Sequence, residues 1–254
     1  MMKEYFNDIF ALSGRIIKHN LRSVDTMITV VIMPIMIMLG MVYIFGGSIQ
    51  LQGVQSQDYV DYIMPGILLI TIASSSAYTS LRINLDKTRG MFERFKSMPI
   101  AKSAVLGGHV VASVIFMLIS CAAVLLVGLL IGFRSNASFL EWLMIILFLV
   151  LFAFMLTWLS VPFGLMAGGV EGASAFSYVI LLLMFVSSAF VPVEGMSKIV
   201  RIFAENQPMT PIIQTLRNLF NAQPLTSDAW VSLIWIAAIL IISYIAGMKV
   251  YRKV

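Results

Sequence analysis

The chain holds one cysteine, Cys121, among 254 residues. No intrachain disulfide can form, so the fold is not a disulfide scaffold. Cys121 lies inside an apolar run and reads as a small buried hydrophobe. Charge is scarce too: 11% of residues are charged, where a soluble domain carries about 25%. Histidine occurs only at His19 and His109, and HExxH does not occur, so no metal site is expected. GxxxxGK[ST] is also missing, which removes nucleotide hydrolysis of that class from this chain. No serine stands beside an evident base, so no catalytic residue can be named and an enzyme reading has little support.

What the chain has in excess is apolar surface. Hydrophobic residues make up 60%, with 18 Met and 17 Phe, against roughly 45–50% in soluble proteins. A soluble enzyme of this size could not hide that surface, and a disordered chain would not carry it. Crossing ~30 Å of hydrocarbon takes about 20 residues per helix. Hydropathy predicts six spans, at about 27–46, 60–82, 104–132, 140–167, 174–193 and 229–249. Such a set leaves room for overhangs and loops but none for a second soluble domain. The expected fold is an all-α integral membrane protein, one transmembrane domain over 1–254. Pro34 and Pro65 fall inside spans and read as kinks or local breaks. Residues 1–26 are too polar for a cleavable signal, and the first apolar run is long enough to remain as an anchor.

The basic residues orient the spans. With the amino terminus placed inside, only Arg134, Lys198, Arg201 and Arg217 of the 17 Lys and Arg fall on the outer side. The asymmetry puts both termini in the cytoplasm and accounts for the net charge of +5. A nucleic-acid partner would need a basic soluble surface, which is lacking.

Three segments outside the spans carry information. Residues 3–22, within the 1–26 segment, have Tyr5, Phe6, Ile9, Leu12, Ile16 and Ile17 at helical spacing. They predict an amphipathic helix in the inner interface of the bilayer. Residues 83–103 form the most charged loop, with a short helix expected from about Lys87 to Met98, ended by Pro99. Arg89, Glu93, Arg94, Phe95 and Met98 suit docking into a groove on a soluble partner, the apolar pair as anchor and the charges fixing register. The plainer alternative is a loop made basic by topology alone. Residues 194–228 form a long outer loop broken by Pro208 and Pro211, too apolar to float in water, and predict short re-entrant or interfacial helices.

Ion-driven carriers place charge near the bilayer centre. Here Asp58, Asp61, Glu141, Glu194 and Asp228 sit at outer span ends, and Glu171 in the turn GGVEG. If transport is active, something other than an ion gradient supplies the energy. His109 reads as an interfacial polar residue near the inner start of the third span. The second span carries Thr71, Ser74, Ser75, Ser76, Tyr78, Thr79 and Ser80, and the fifth Ser177, Tyr178, Ser187 and Ser188. Hydroxyls in lipid must find partners, so these faces point at protein or at a cavity. They either line a path for an amphipathic substrate or pack helices through small residues.

Three stretches resemble a known family. YVDYIMPG at 59–66 is similar to an aromatic and acidic stretch running into Pro-Gly. TRGMFERFKSMPIAKSAVLG at 88–107 is similar to an inner-loop signature of Arg-Gly, Glu-Arg, Pro and Gly. SAFVPVEGMSKIVRIFAENQPMTPIIQTLRNLF at 188–220 is similar to an outer segment ending in a Leu-Arg pair. Together they resemble the type-2 ABC exporter permeases, the membrane subunits that pair with a separate ATPase. One departure is Gln207-Pro208, where the family often has Asn-Pro.

The resemblance implies a six-helix permease in the plasma membrane that exports a small amphipathic drug or antibiotic, or a lipid. It implies two ABC ATPase subunits holding Mg-ATP, with no cofactor in this chain, and a second permease chain, identical or similar. Arg89, Glu93, Arg94, Phe95 and Met98 would contact the ATPase through a coupling helix. Ser75, Tyr78, Thr79, Ser187 and Phe190 would line the path. Polysaccharide or peptide cargo stays open, and an ion-coupled carrier or lipid-modifying enzyme is the remoter alternative.

Overall fold

The computed structural model describes residues 13–14, 16–45, 58–91 and 102–251. Among them every regular element is helical. We label α1 Val24–Ile44, α2 Asp58–Thr88, α3 Lys102–Leu130, α4 Phe139–Met166, α5 Val170–Phe185, α6 Lys198–Asn206, α7 Met209–Phe220 and α8 Ser227–Tyr251. Five of these, α1 to α4 and α8, are long and apolar enough to cross a membrane. The fifth expected span corresponds to α5, which starts at Val170 and stops after 16 residues. Glu171 therefore sits in its first helical turn, not in a free loop.

α2 is the central element. In its apolar stretch 78% of residues are buried, against 17% in α1 and 22% in α8. It packs on α4, α5, α3, α7 and α1, while α8 lies on α4 and α7. The approach of α2 to α4 depends on Gly164, where an added Cβ would lie 2.5 Å from the Ser80 carbonyl oxygen and 3.0 Å from Ile83 Cβ. Gly66 allows a similar approach at the other end, with Ala189 Cβ at 2.8 Å from the position of an added Cβ. Small residues bring backbones together in this way wherever lipid provides no hydrophobic drive between helices.

Both prolines stay inside helical segments. Wide π-helical turns at Ile28–Ile32 and Met41–Phe45 flank Met33–Gly40. The first includes Val30, four residues before Pro34, where the proline ring needs room and no N–H can donate. α2 runs through Pro65 without a break.

α2 also continues six residues past its expected end at 82, to Thr88. The tail is polar but engaged. Asn84 Nδ2 donates to the carbonyls of Gly164 (3.1 Å) and Ala167 (2.8 Å), and Lys87 Nζ to that of Leu165 (2.6 Å). These carbonyls close α4 and have no partner within it, and a cation near a helix carboxyl terminus is favourable. Lys87 and Thr88 thus end α2, and a turn follows at Arg89-Gly90, Gly90 with φ 67°. At its other end α4 starts with a capping box, Ser138 with Glu141.

Residues 16–22 are helical and precede α1. In the outer segment α6 and α7 are separate helices meeting at Gln207 and Pro208. α6 exposes Ile199, Ile202 and Phe203, whereas α7 buries most of its residues.

Candidate functional site

Polar side chains gather at the two ends of α2. Tyr62 and Arg82, 20 residues apart on one helix, mark ends roughly 30 Å from each other.

At the carboxyl end, the segment before α1 is tied to α2 and α3. Arg82 Nη2 donates to His19 Nδ1 at 2.7 Å, and Ser13 Oγ to the Gly108 carbonyl at 3.1 Å. His109 is buried, with Nε2 3.1 Å from Asp86 Oδ2. It is therefore a buried, paired group. Next to it Thr79 Oγ1 donates to Ser113 Oγ at 2.9 Å. Ser75, Tyr78 and Thr79 line one small enclosed cavity together with Ile16, Asn20 and Arg82. Tyr78 also donates to the Asp25 carbonyl and meets Thr29 Oγ1, each at 3.2 Å, linking α2 to α1. Arg89 is exposed. Glu93, Arg94, Phe95 and Met98 lie outside the described residues.

At the amino end stands a knot around Arg217, which the sequence counts only as an outer cation. It is 8% exposed. Nε and Nη2 donate to the Tyr62 carbonyl (3.3 and 3.2 Å), Nη2 also to that of Ser188 (2.7 Å), and Nη1 to Gln214 Oε1 (2.8 Å). The guanidinium lies 3.8 Å from the centroid of the Tyr62 ring, a cation–π contact. Tyr62 in turn donates its hydroxyl to the Ser188 carbonyl at 3.1 Å. Burial pushes the Arg217 pKa down, while Tyr62 and Glu194 pull it back up. Ser187 and Phe190 fall at this end, apart from Ser75, Tyr78 and Thr79. Ser187 Oγ bonds the Met184 carbonyl, and the Phe190 carbonyl accepts from Tyr59 at 3.4 Å. Asp61 accepts the Arg134 backbone N–H at 2.9 Å, which gives that carboxylate a structural task.

Two signals in the sequence point to this knot: Arg217 lies among Leu216, Leu219 and Phe220, and an ionisable group in an apolar segment needs a partner. Among the described residues no cluster of His, Cys, Asp and Glu could hold a metal.

Among the described residues, an all-helical set of elements with several membrane-length helices and polar groups paired inside it is the outline of an integral membrane protein. Residues 7–221 match the ABC-2 type transporter family, and the chain belongs to that family. It is 27% identical over 228 residues to the daunorubicin resistance ABC transporter permease protein DrrB1 of Streptomyces coeruleorubidus, covering 89% of this chain and 80% of that one. It is 22% identical over 242 residues to the probable doxorubicin resistance ABC transporter permease protein DrrC of Mycobacterium tuberculosis strain H37Rv, covering 95% and 87%.

Proposed function

We propose that this chain is the permease subunit of an ATP-driven exporter that moves a small amphipathic drug, antibiotic or lipid across the plasma membrane. The observation that carries this reading is the family match over 7–221. The drug-resistance names of the two relatives support the cargo class. Mg-ATP is held by a separate ABC ATPase pair, and a second permease chain completes the path. Six spans cross the bilayer, α5 with the residues that follow it being the short one. Both termini are cytoplasmic, and the Arg217 end faces outward with α6 and α7 as re-entrant helices.

In this reading the ATPase engages Arg89, Glu93, Arg94, Phe95 and Met98. The clasp of His19 with Arg82 then passes movement to α2. Ser75, Tyr78 and Thr79 face cargo near the inner side, and Ser187 and Phe190 near the outer. ATP binding supplies the differential affinity that selects one state of the permease over another.

Affinity purification from the native membrane followed by mass spectrometry tests this. A P-loop ATPase at equal stoichiometry is the expected companion, and its absence under several mild detergents would overturn the reading. Charge reversal at Glu93 together with Arg94 is expected to weaken that association by about 2–5 kcal/mol if both charges are buried at the contact. Unchanged co-purification would take these two residues out of the interface.

A further inference from the structure

At the Arg82 end of α2 an open recess of about 610 Å³ lies against the turns that precede α1, within the size range of small-molecule sites. Lys18, His19, Arg22 and Ser23 line it. Lys18 and Arg22 are exposed, and among the described residues neither has an ion-pair or hydrogen-bond partner. The acids of this end do not line the recess. Asp86 is paired with His109, and Asp25 lies past Ser23, in the first turn of α1. The lining therefore keeps a net positive charge, with the Arg82 guanidinium directly against His19.

A second observation concerns how this wall is held. Another face of the same turns is docked on the protein. Ser13 Oγ bonds the Gly108 carbonyl, and Ile16 and Asn20 line the small cavity against α2 and α3. His19 is fixed by Arg82. The two cations thus stand on a seated segment, so less ordering is lost when they bind. A third observation is apolar. Leu21, Val24 and Ile28, on the stretch that runs from the cations into α1, are 45%, 70% and 43% exposed. Water is a poor neighbour for such side chains, and acyl chains are a good one. Cations beside exposed apolar groups at the head of a membrane-length helix match a molecule with a phosphate at one end and hydrocarbon at the other. A free anion would leave the apolar side chains uncovered. A zwitterionic lipid would bring its own cation toward Lys18 and Arg22.

We infer that this recess binds the headgroup phosphate of an anionic phospholipid, with Lys18 and Arg22 as its partners and Leu21, Val24 and Ile28 against its acyl chains. Arg22 can take two phosphate oxygens through its planar fork, and Lys18 adds a point charge. A lipid seated there holds the turns before α1 from the bilayer side, while Ser13 and Arg82 hold them from the protein side. The binding does not depend on the exporter reading; only its place in the inner leaflet rests on the orientation proposed above.

The test uses the detergent-solubilised permease with whatever ATPase co-purifies, mixed with equal amounts of phosphatidylglycerol and phosphatidylcholine. Native mass spectrometry counts the lipids that stay bound. Phosphatidylglycerol is expected to be retained about tenfold over phosphatidylcholine, and less so as salt rises. Lys18→Gln with Arg22→Gln should cut that preference to about twofold, with an unchanged Tm in lipid-free detergent because both side chains are exposed. Lys18→Arg with Arg22→Lys should keep it. Lys249→Gln removes an exposed cation from the last turn of α8 and should keep it too, which separates a site from the general attraction of a basic membrane face. No preference in the parent, a preference untouched by the double glutamine variant, or a comparable fall with Lys249→Gln would overturn the inference. So would loss of the ATPase from the double variant with the lipid preference intact, which assigns the two cations to a protein contact. Absence of any ATPase from the parent, with the preference present, would sink the exporter reading alone.

Discussion

Replacing Arg217 with Ala is expected to destabilise the protein by about 3 kcal/mol, because hydrogen bonds made by charged groups contribute roughly 1.5–3 kcal/mol each and buried carbonyls left bare cost more. The Tyr62 and Ser188 carbonyls both lose a charged donor, and the Tyr62 ring loses the cation beside it. Three pieces of chain then lose their common point: the start of α2, the turn after α5, and α7. Arg217→Lys is a sharper probe. It keeps the charge but not the planar fork that reaches two carbonyls and Gln214 at once, so it should recover less than half of the loss. Thermal unfolding of the purified protein in detergent, followed by tryptophan fluorescence, measures both. A Tm for Arg217→Ala equal to that of the parent would show that the knot carries no stability.

Gly164→Leu is expected to abolish accumulation of folded protein in the membrane, and Gly164→Ala to cost about 1–3 kcal/mol through overpacking. The obstacle at 2.5 Å is the Ser80 backbone oxygen, which cannot swing aside as a flexible side chain can. Gly168, four residues further on, has nothing within 4 Å of an added Cβ. Gly168→Ala should therefore stay within about 0.5 kcal/mol of the parent. Membrane yield and Tm of the three variants, compared side by side, decide the matter. Equal behaviour of Gly164→Ala and Gly168→Ala would mean that the α2–α4 contact is looser than described.

Hydropathy makes the helical membrane architecture legible, since long apolar runs have few other uses. It finds α3, α4 and α8 within a few residues. It misplaces the end of α2, because a window average falls at Arg82 although the helix continues. The tail past Arg82 is held by side-chain bonds to α4, and pattern reading cannot see a partner 80 positions away. α5 shows the opposite error: residues 186–190 are apolar enough to extend a span, yet they form turns whose carbonyls serve Arg217, Tyr59 and Tyr62. The pairing of His109 with Asp86 was hidden for a related reason. It needs α2 and α3 side by side, which neither residue announces. Ser75, Tyr78 and Thr79, singled out through the resemblance, line one small cavity. Ser187 and Phe190 share no wall with them, because composition places hydroxyls on an element but not along its height.

The capping of α4 by Asn84 and Lys87 has a mechanical consequence. At that end α2 and α4 are bolted through three hydrogen bonds, and at the other they are pinned through α7, whose Phe220 meets Trp142 of α4 edge to face at 5.5 Å while Arg217 grips α2. Two rods fastened at both ends behave as one beam. Bending one against the other breaks bonds at a joint, whereas tilting the pair as a unit breaks none. A stroke delivered to the Arg89 end of the beam would reach the Arg217 end as rotation, its direction set by whichever of α1, α5 or α8 yields first.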